Sequence, residues 1–171
     1  MSPMFARVRQ ELVVGPYPTK DGWGWLYRLY RSLGRPFQRL LCAYWWPAQI
    51  ELVGNGLFYK ALGVGLFGRV IPTGGVLIRR ITGARMKPYT LKGSSIGAAR
   101  DFFYRTCVFE TLHFPFFFTL LLLALHRLFI GRPDLAVENT VVNLVFNVYP
   151  MMHHRRTRGR IVRLLGRARS R

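Results

Sequence analysis

Two apolar runs separated by a short polar turn dominate the second half of the chain. Thr111 to His126 and Asn139 to His154 are each 16 residues without an Asp, Glu, Lys or Arg. Extended outward to Thr106 and back to Leu135, each run reaches about 20 residues, enough for a helix to cross a hydrocarbon core of about 30 Å. The connection, Gly131-Arg132-Pro133-Asp134, is too short for anything but an antiparallel return. The pattern predicts an all-α membrane protein organised around a transmembrane helical hairpin.

Polar residues inside the runs set the chemistry. The first carries Glu110 and His113, three apart and so on one helical face; the second carries Glu138, Asn139, Asn143 and Asn147. The three asparagines recur every four residues and form one stripe. With Ile130 as the midpoint, His113 lies 17 residues before it and Asn147 lies 17 after. An antiparallel hairpin therefore sets those two level, and sets Glu110 level with Pro150. Ionisable groups in lipid are costly and mark working sites by default. Asparagines in spans also serve as hydrogen-bonding glue between helices, and that reading stays open here.

Outside the hairpin the pattern becomes amphipathic. Arg28, Arg31, Arg35 and Arg39 fall within about 80° of a helical wheel, opposite Leu26, Leu29, Tyr30, Leu33, Phe37, Leu40, Leu41 and Tyr44. Trp23, Trp25, Trp45 and Trp46 stand at the two ends. This predicts a basic interfacial helix with aromatic anchors, kinked or split at Gly34 and Pro36. Residues 47 to 78 are glycine-rich and divided by Glu51, Lys60 and Arg69, which predicts short surface helices or loops rather than a span. Ser94 or Ser95 is placed to cap a helix running into the first span. After the hairpin, Arg156, Arg160, Arg163, Arg167 and Arg171 share one face of a second basic helix, with Ile161, Val162, Leu165 and Ala168 on another. The expected organisation is a mobile N-terminal tail over 1–22, an amphipathic and glycine-rich interfacial region over 23–105, and the hairpin with its basic C-terminal helix over 106–171.

Composition changes the picture in one respect. The net charge is +19, yet half of the residues are hydrophobic. A nucleic-acid binder of that charge would be poorer in apolar residues; the combination suits basic segments facing anionic lipid headgroups. Sixteen Lys and Arg precede the hairpin and eight follow it, against Arg127 and Arg132 at the turn, so both termini are expected in the cytoplasm. Residues 1 to 20 lack the apolar core of a signal peptide. Cys42 and Cys107 follow no disulfide or metal spacing.

These groups offer a general base and donors for a developing oxyanion, which ester formation from an acyl thioester would need; acyl transfer itself is implied only by a family resemblance. An imidazole titrates near neutrality, so His113 is the candidate base. Glu110 is placed to orient it, and Asn147 and Asn143 to donate to the oxyanion or position the acceptor. Arg155, Arg156, Arg158 and Arg160 stand where a donor or lipid phosphate would arrive, and Asn139 and Tyr149 complete the substrate-binding set. Cys107 as a nucleophile is the lesser option. A rival reading is a non-catalytic membrane subunit that binds pigment or lipid in a larger complex with other membrane proteins. A di-iron site would need Glu-x-x-His twice with further carboxylates, and no metal set is expected.

The run Asn143-Leu-Val-Phe-Asn147-Val-Tyr149-Pro150-Met-Met-His-His-Arg155-Arg156-Thr-Arg158-Gly-Arg160 resembles the signature of the glycosyl-4,4'-diaponeurosporenoate acyltransferase family. Thr106-Cys107-Val-Phe-Glu110-Thr-Leu-His113-Phe114 is similar to that family's second motif, and Gly56 to Val64 gives a weaker match. The resemblance covers roughly residues 51 to 165. It implies a small enzyme of the bacterial inner membrane that esterifies a glycosylated carotenoid or similar glycolipid with a fatty acyl chain. Acyl-CoA or another acyl donor would be a co-substrate, with no cofactor.

Overall fold

The computed structural model describes residues 32–52, 56–70 and 96–169, with the isolated positions 6, 8, 9 and 12. Trp23, Trp25, Arg28, Arg31, Ser94, Ser95 and Arg171 lie outside the described residues, as does most of the N-terminal segment. Every described element is helical: α1 (Arg35–Trp45), α2 (Gln49–Leu52), α3 (Leu57–Ala61), α4 (Val64–Val70), α5 (Ile96–Phe129), α6 (Pro133–Asn143), a π-helical turn (Leu144–Val148) and α7 (Tyr149–Arg169).

The 34 residues of α5 run without a break into the first apolar run. At 1.5 Å per residue the helix is about 50 Å long, more than a hydrocarbon core requires. It divides accordingly. Its first third buries Ala99, Phe103 and Cys107 against Ile161 and Val162 of α7 and Trp45 of α1. From Leu112 to Phe129 it is mostly exposed and apolar, with Phe116, Phe118, Leu122, Leu125 and Leu128 facing outward and Phe129 91% exposed. That stretch is about 27 Å long. A core helix of a soluble protein hides such residues; this helix has the length and composition to cross a membrane and leaves its apolar surface uncovered.

At the far end Gly131 adopts φ +73°, a left-handed conformation that glycine reaches without steric cost, and the chain reverses. Pro133 then opens α6 in its first turn, where a missing N–H does no harm. The returning arm packs antiparallel to α5. His113 meets Asn147, and the side chain of Asn143 donates to the Phe117 carbonyl. His113 and Asn147 therefore stand level, as the residue count around Ile130 predicts.

Gly34 is non-helical and α1 starts at Arg35 with Pro36 in its first turn; the amphipathic segment before Ser32 lies outside the described residues. Arg35, Arg39, Phe37 and Leu40 are all exposed. Trp45 departs from the anchor reading. It is buried in the core, and its indole Nε1–H donates to Thr111 Oγ1 at 3.2 Å, because α1 lies against the base of α5. Val8 and Leu12, from the stretch read as a tail, are buried in the same cluster. The described part of the glycine-rich region forms the short helices α2, α3 and α4, of which α2 and α4 pack against α7.

Glycine matters most where α7 meets α2. A Cβ on Gly159 would stand 3.3 Å from the Glu51 carbonyl oxygen, closer than ordinary packing allows. Gly159→Leu would wedge the two helices apart, and overpacking of this kind costs about 1–3 kcal/mol. Unfolding in mixed detergent micelles should show that loss; an unchanged midpoint would mean the α2–α7 contact is not held closely.

Candidate functional site

Two polar systems lie side by side where the hairpin meets its base. The first is a buried ion-pair network. Glu110 is fully buried on α5, and both of its oxygens are engaged. Arg158 Nη2 donates to Oε2, while the Tyr44 hydroxyl and Arg155 Nη1, the latter at 3.3 Å, donate to Oε1. Arg155 also reaches Glu51 with two donors, Nε at 2.7 Å and Nη2 at 3.1 Å. Glu51 accepts further from the Tyr59 hydroxyl and, at 2.7 Å, from the Ala48 backbone N–H. That last bond is half of a capping box and stabilises the start of α2. Arg163 Nη1 donates to the Glu51 carbonyl at 2.9 Å.

Two carboxylates thus face two guanidinium groups, and the buried charges cancel. Burial pushes the Glu51 carboxyl up, but Arg155, Tyr59 and the Ala48 amide outweigh it and the net shift is downward. Burial raises both phenols well above the ordinary tyrosine range, Tyr44 further because of Glu110 and Tyr59 because of Glu51. Both stay protonated and act as donors. Burial opposes the charge on Arg155, and the two glutamates more than restore it.

The second system begins one turn further along α5. His113 Nδ1 lies 3.2 Å from Asn147 Oδ1, Asn147 Nδ2 donates to Asn143 Oδ1 at 2.9 Å, and Asn143 Nδ2 donates to the Phe117 carbonyl at 3.0 Å. The direction of this relay determines the tautomer. An Asn147 oxygen that accepts must receive a proton from Nδ1, which leaves Nε2 of a neutral imidazole as the lone-pair nitrogen. The His154 ring lies 6.1 Å from that of His113 and stacks on Phe109 at 5.9 Å.

The π turn aligns the two systems. On an unbroken α-helix, at about 100° per residue, Arg155 would stand roughly 120° round from Asn143. One extra residue in the turn removes about 100° of that, so Arg155, Arg158 and the asparagines all face α5. Asn147 sits inside the π turn itself.

Several sequence assignments change place. Glu110 does not orient His113: no hydrogen bond joins them, because the carboxylate is taken by Arg155, Arg158 and Tyr44. Glu110 also reaches past Pro150, since long arginine side chains on α7 extend back to it. Of the four arginines assigned to phosphate, Arg155 and Arg158 lie in the network, while Arg156 is half-buried and Arg160 exposed. Asn139 is half-buried and outside the asparagine relay, and Tyr149 stacks on Phe67 at 4.7 Å. Cys107 is buried. Sequence reasoning missed Glu51, Tyr44, Tyr59 and His154. Glu51 had a signal: one of only seven acids in a chain of charge +19 is bound to find an arginine. Among the described residues no group of three His, Cys, Asp or Glu side chains could hold a metal.

A family model described as glycosyl-4,4'-diaponeurosporenoate acyltransferase matches residues 42–167. The chain belongs to this family. Comparison with curated proteins and with solved structures gave no match. The matched stretch of this acyltransferase-family chain contains both polar systems whole, from Tyr44 and Glu51 to Arg158 and Arg163.

Two outcomes follow. Glu110→Gln should leave Arg158 buried without its counter-charge, and breaking a buried pair from one side costs about 3–5 kcal/mol. Unfolding of the detergent-solubilised protein would read that loss, and a wild-type midpoint would show that the pair contributes nothing. Glu51 gives a pH dependence. Its folded pKa lies below the ordinary 4.5, so its contribution is complete above that value and fades as pH falls through the lower folded value. Wild type should lose stability on acidification through that window, and Glu51→Gln should lose less. Equal slopes would remove Glu51 from the linkage.

Proposed function

We propose that this protein is a membrane O-acyltransferase that esterifies a hydroxyl of a glycosylated carotenoid, or a similar lipid-linked sugar, with a fatty acyl chain. The observation that carries the reading is His113, held in one tautomer by Asn147 and Asn143 at the base of an exposed apolar hairpin. The family match supports the reaction class.

The chemistry runs through Nε2. The acceptor hydroxyl gives its proton to Nε2 as its oxygen attacks the acyl carbonyl of a thioester donor. The negative charge gathers on the carbonyl oxygen, where the second amide hydrogen of Asn147 can reach it. As the C–S bond breaks, the thiolate takes the proton back from Nε2. The imidazole ends neutral, and one ester and one thiol have formed. Asn147 and Asn143 position the ring; the Glu110 network holds the helices that carry it.

The apolar partners would lie along the hairpin. Leu112, Phe116, Leu122 and Leu125 on one arm and Val137, Val141, Leu144 and Phe146 on the other face outward. The returning arm from Pro133 to Val148 covers about 24 Å, close to one hydrocarbon core. Both arms then span the bilayer, with α1 and α7 at the cytoplasmic face and membrane lipid around them. Exposed Phe37 and Leu40 beside exposed Arg35 and Arg39 suit that interface.

His113→Ala should lower acyl transfer by about 10²–10⁴-fold in a membrane assay with acyl donor and glycosylated acceptor. The deciding variant is His113→Gln, whose amide can still donate to Asn147 but cannot take the hydroxyl proton. It should fail as Ala does; near-normal turnover would rule His113 out as the base and favour a non-catalytic, pigment- or lipid-binding subunit. Topology is read separately. Gly131→Cys, with Cys42 and Cys107 replaced, should react with an impermeant thiol reagent on intact cells. Labelling only after permeabilisation would reverse the orientation.

A further inference from the structure

The arginines of α7 divide by what they touch. Arg155 and Arg158 face the buried glutamates, and Arg163 donates to the Glu51 and Leu52 carbonyls at the end of α2. Arg156 and Arg160 have no carboxylate partner among the described residues. Asp101 pairs with Arg105, Asp134 pairs with Arg132, and Glu138 is exposed near the hairpin turn at the other end of the molecule. Arg156 lies over the backbone of α4, with Nη1 3.1 Å from where a Cβ on Gly65 would stand. A side chain at that position would crowd the guanidinium.

His153 shares this face, three residues before Arg156 and seven before Arg160. Both guanidinium charges act on its ring, and its buried Nδ1 has no hydrogen-bond partner. Further along the same face, burial and the charges of Arg160, Arg167 and Arg156 hold Arg163 below the ordinary arginine value. Among the described residues no carboxylate stands beside the charges of Arg156 and Arg160, which flank an imidazole with an unsatisfied nitrogen. The His153 ring is 6.2 Å from His154, which in turn lies 6.1 Å from His113.

We propose that Arg156, Arg160 and His153, seated on Gly65, form a binding site for a phosphate ester next to the His113 site. Two guanidinium forks give bidentate donors to phosphate oxygens, and the imidazole supplies one more hydrogen bond. The phosphate belongs either to the polyphosphate of a coenzyme A thioester or to the headgroup of an anionic lipid. The first source rests on the acyl-transfer reading and identifies its donor class; the site itself does not depend on catalysis.

The test is therefore binding to the full-length protein in phosphatidylcholine nanodiscs, titrated calorimetrically with coenzyme A and with inorganic pyrophosphate. Nanodiscs containing phosphatidylglycerol, analysed by native mass spectrometry for retained lipid, form the second arm. Arg156→Gln/Arg160→Gln should weaken binding roughly tenfold or more for each arginine removed. Gly65→Val, which displaces Arg156 without changing charge, should weaken it too. In the coenzyme A and pyrophosphate titrations, Arg35→Gln/Arg39→Gln removes the same charge at a distance from the site and should change nothing. Coenzyme A binding lost in the α7 variants assigns the site to the donor, whether or not esterification is ever detected. Loss of phosphatidylglycerol retention alone assigns it to the lipid. Failure of wild type to hold either ligand, or equal losses in the Arg35/Arg39 control, would overturn the site.

Discussion

Glu110 is the point on which the fold turns. It is a fully buried carboxylate in a helix that otherwise faces apolar surroundings, and it can keep its charge only if cations are brought to it. Arg158, Arg155 and Tyr44 come from two other elements to do so. Arg155 carries the connection onward to Glu51, and through Glu51 to Tyr59 and the cap of α2. Five segments, joined by bonds across as many as 112 residues, are tied to one neutral cluster. Each of its four charged members alone would be a buried ion costing several kcal/mol, so the ion pairs form together. Such interlocking specifies one arrangement of α1, α2 and α7 against α5, which apolar packing of short helices would leave loosely defined.

The π turn is the second constraint, and it serves the first. A regular helix from Pro133 to Arg169 could direct either its asparagines or Arg155 at α5, but not both. Widening one turn at Leu144–Val148 rotates the lower half of the arm. The arginines then reach Glu110 while Asn147, inside the turn, reaches His113. Chemistry and stability meet in the same five residues: the relay that selects the tautomer is built into the turn that seats the ion pairs.

Surface properties follow from the same division of α5. Below Glu110 the helix is packed; above it the helix is bare and apolar over about one hydrocarbon thickness. The ion-pair network therefore stands at the boundary between the two, with Arg156 and Arg160 outside it and the apolar arms beyond.

Much of this was legible in the sequence. The apolar runs, the turn at Gly131 and the count from Ile130 gave the level of His113 with Asn147, because hydrophobic period and helix rise are local properties of the chain. The start of α1 after Gly34, and the short helices after Trp46, were local as well. The partner of a buried charge is not local. Nothing within four residues of Glu110 reveals that Arg158, rather than His113, will take its oxygen, or that Tyr44 belongs to the same cluster. The π turn had one local signal, Pro150, whose nitrogen has no hydrogen for the Phe146 carbonyl and whose ring crowds it; which side chains the widened turn would bring to face α5 was not local. Trp45 looked like a headgroup anchor by its position at a helix end, and tertiary packing against Thr111 made it core. Sequence determined which residues were apolar, basic or unusual for lipid; the pairing of buried charges, settled only when distant helices meet, decided which of them are locked into the ion-pair network and which stand beside it.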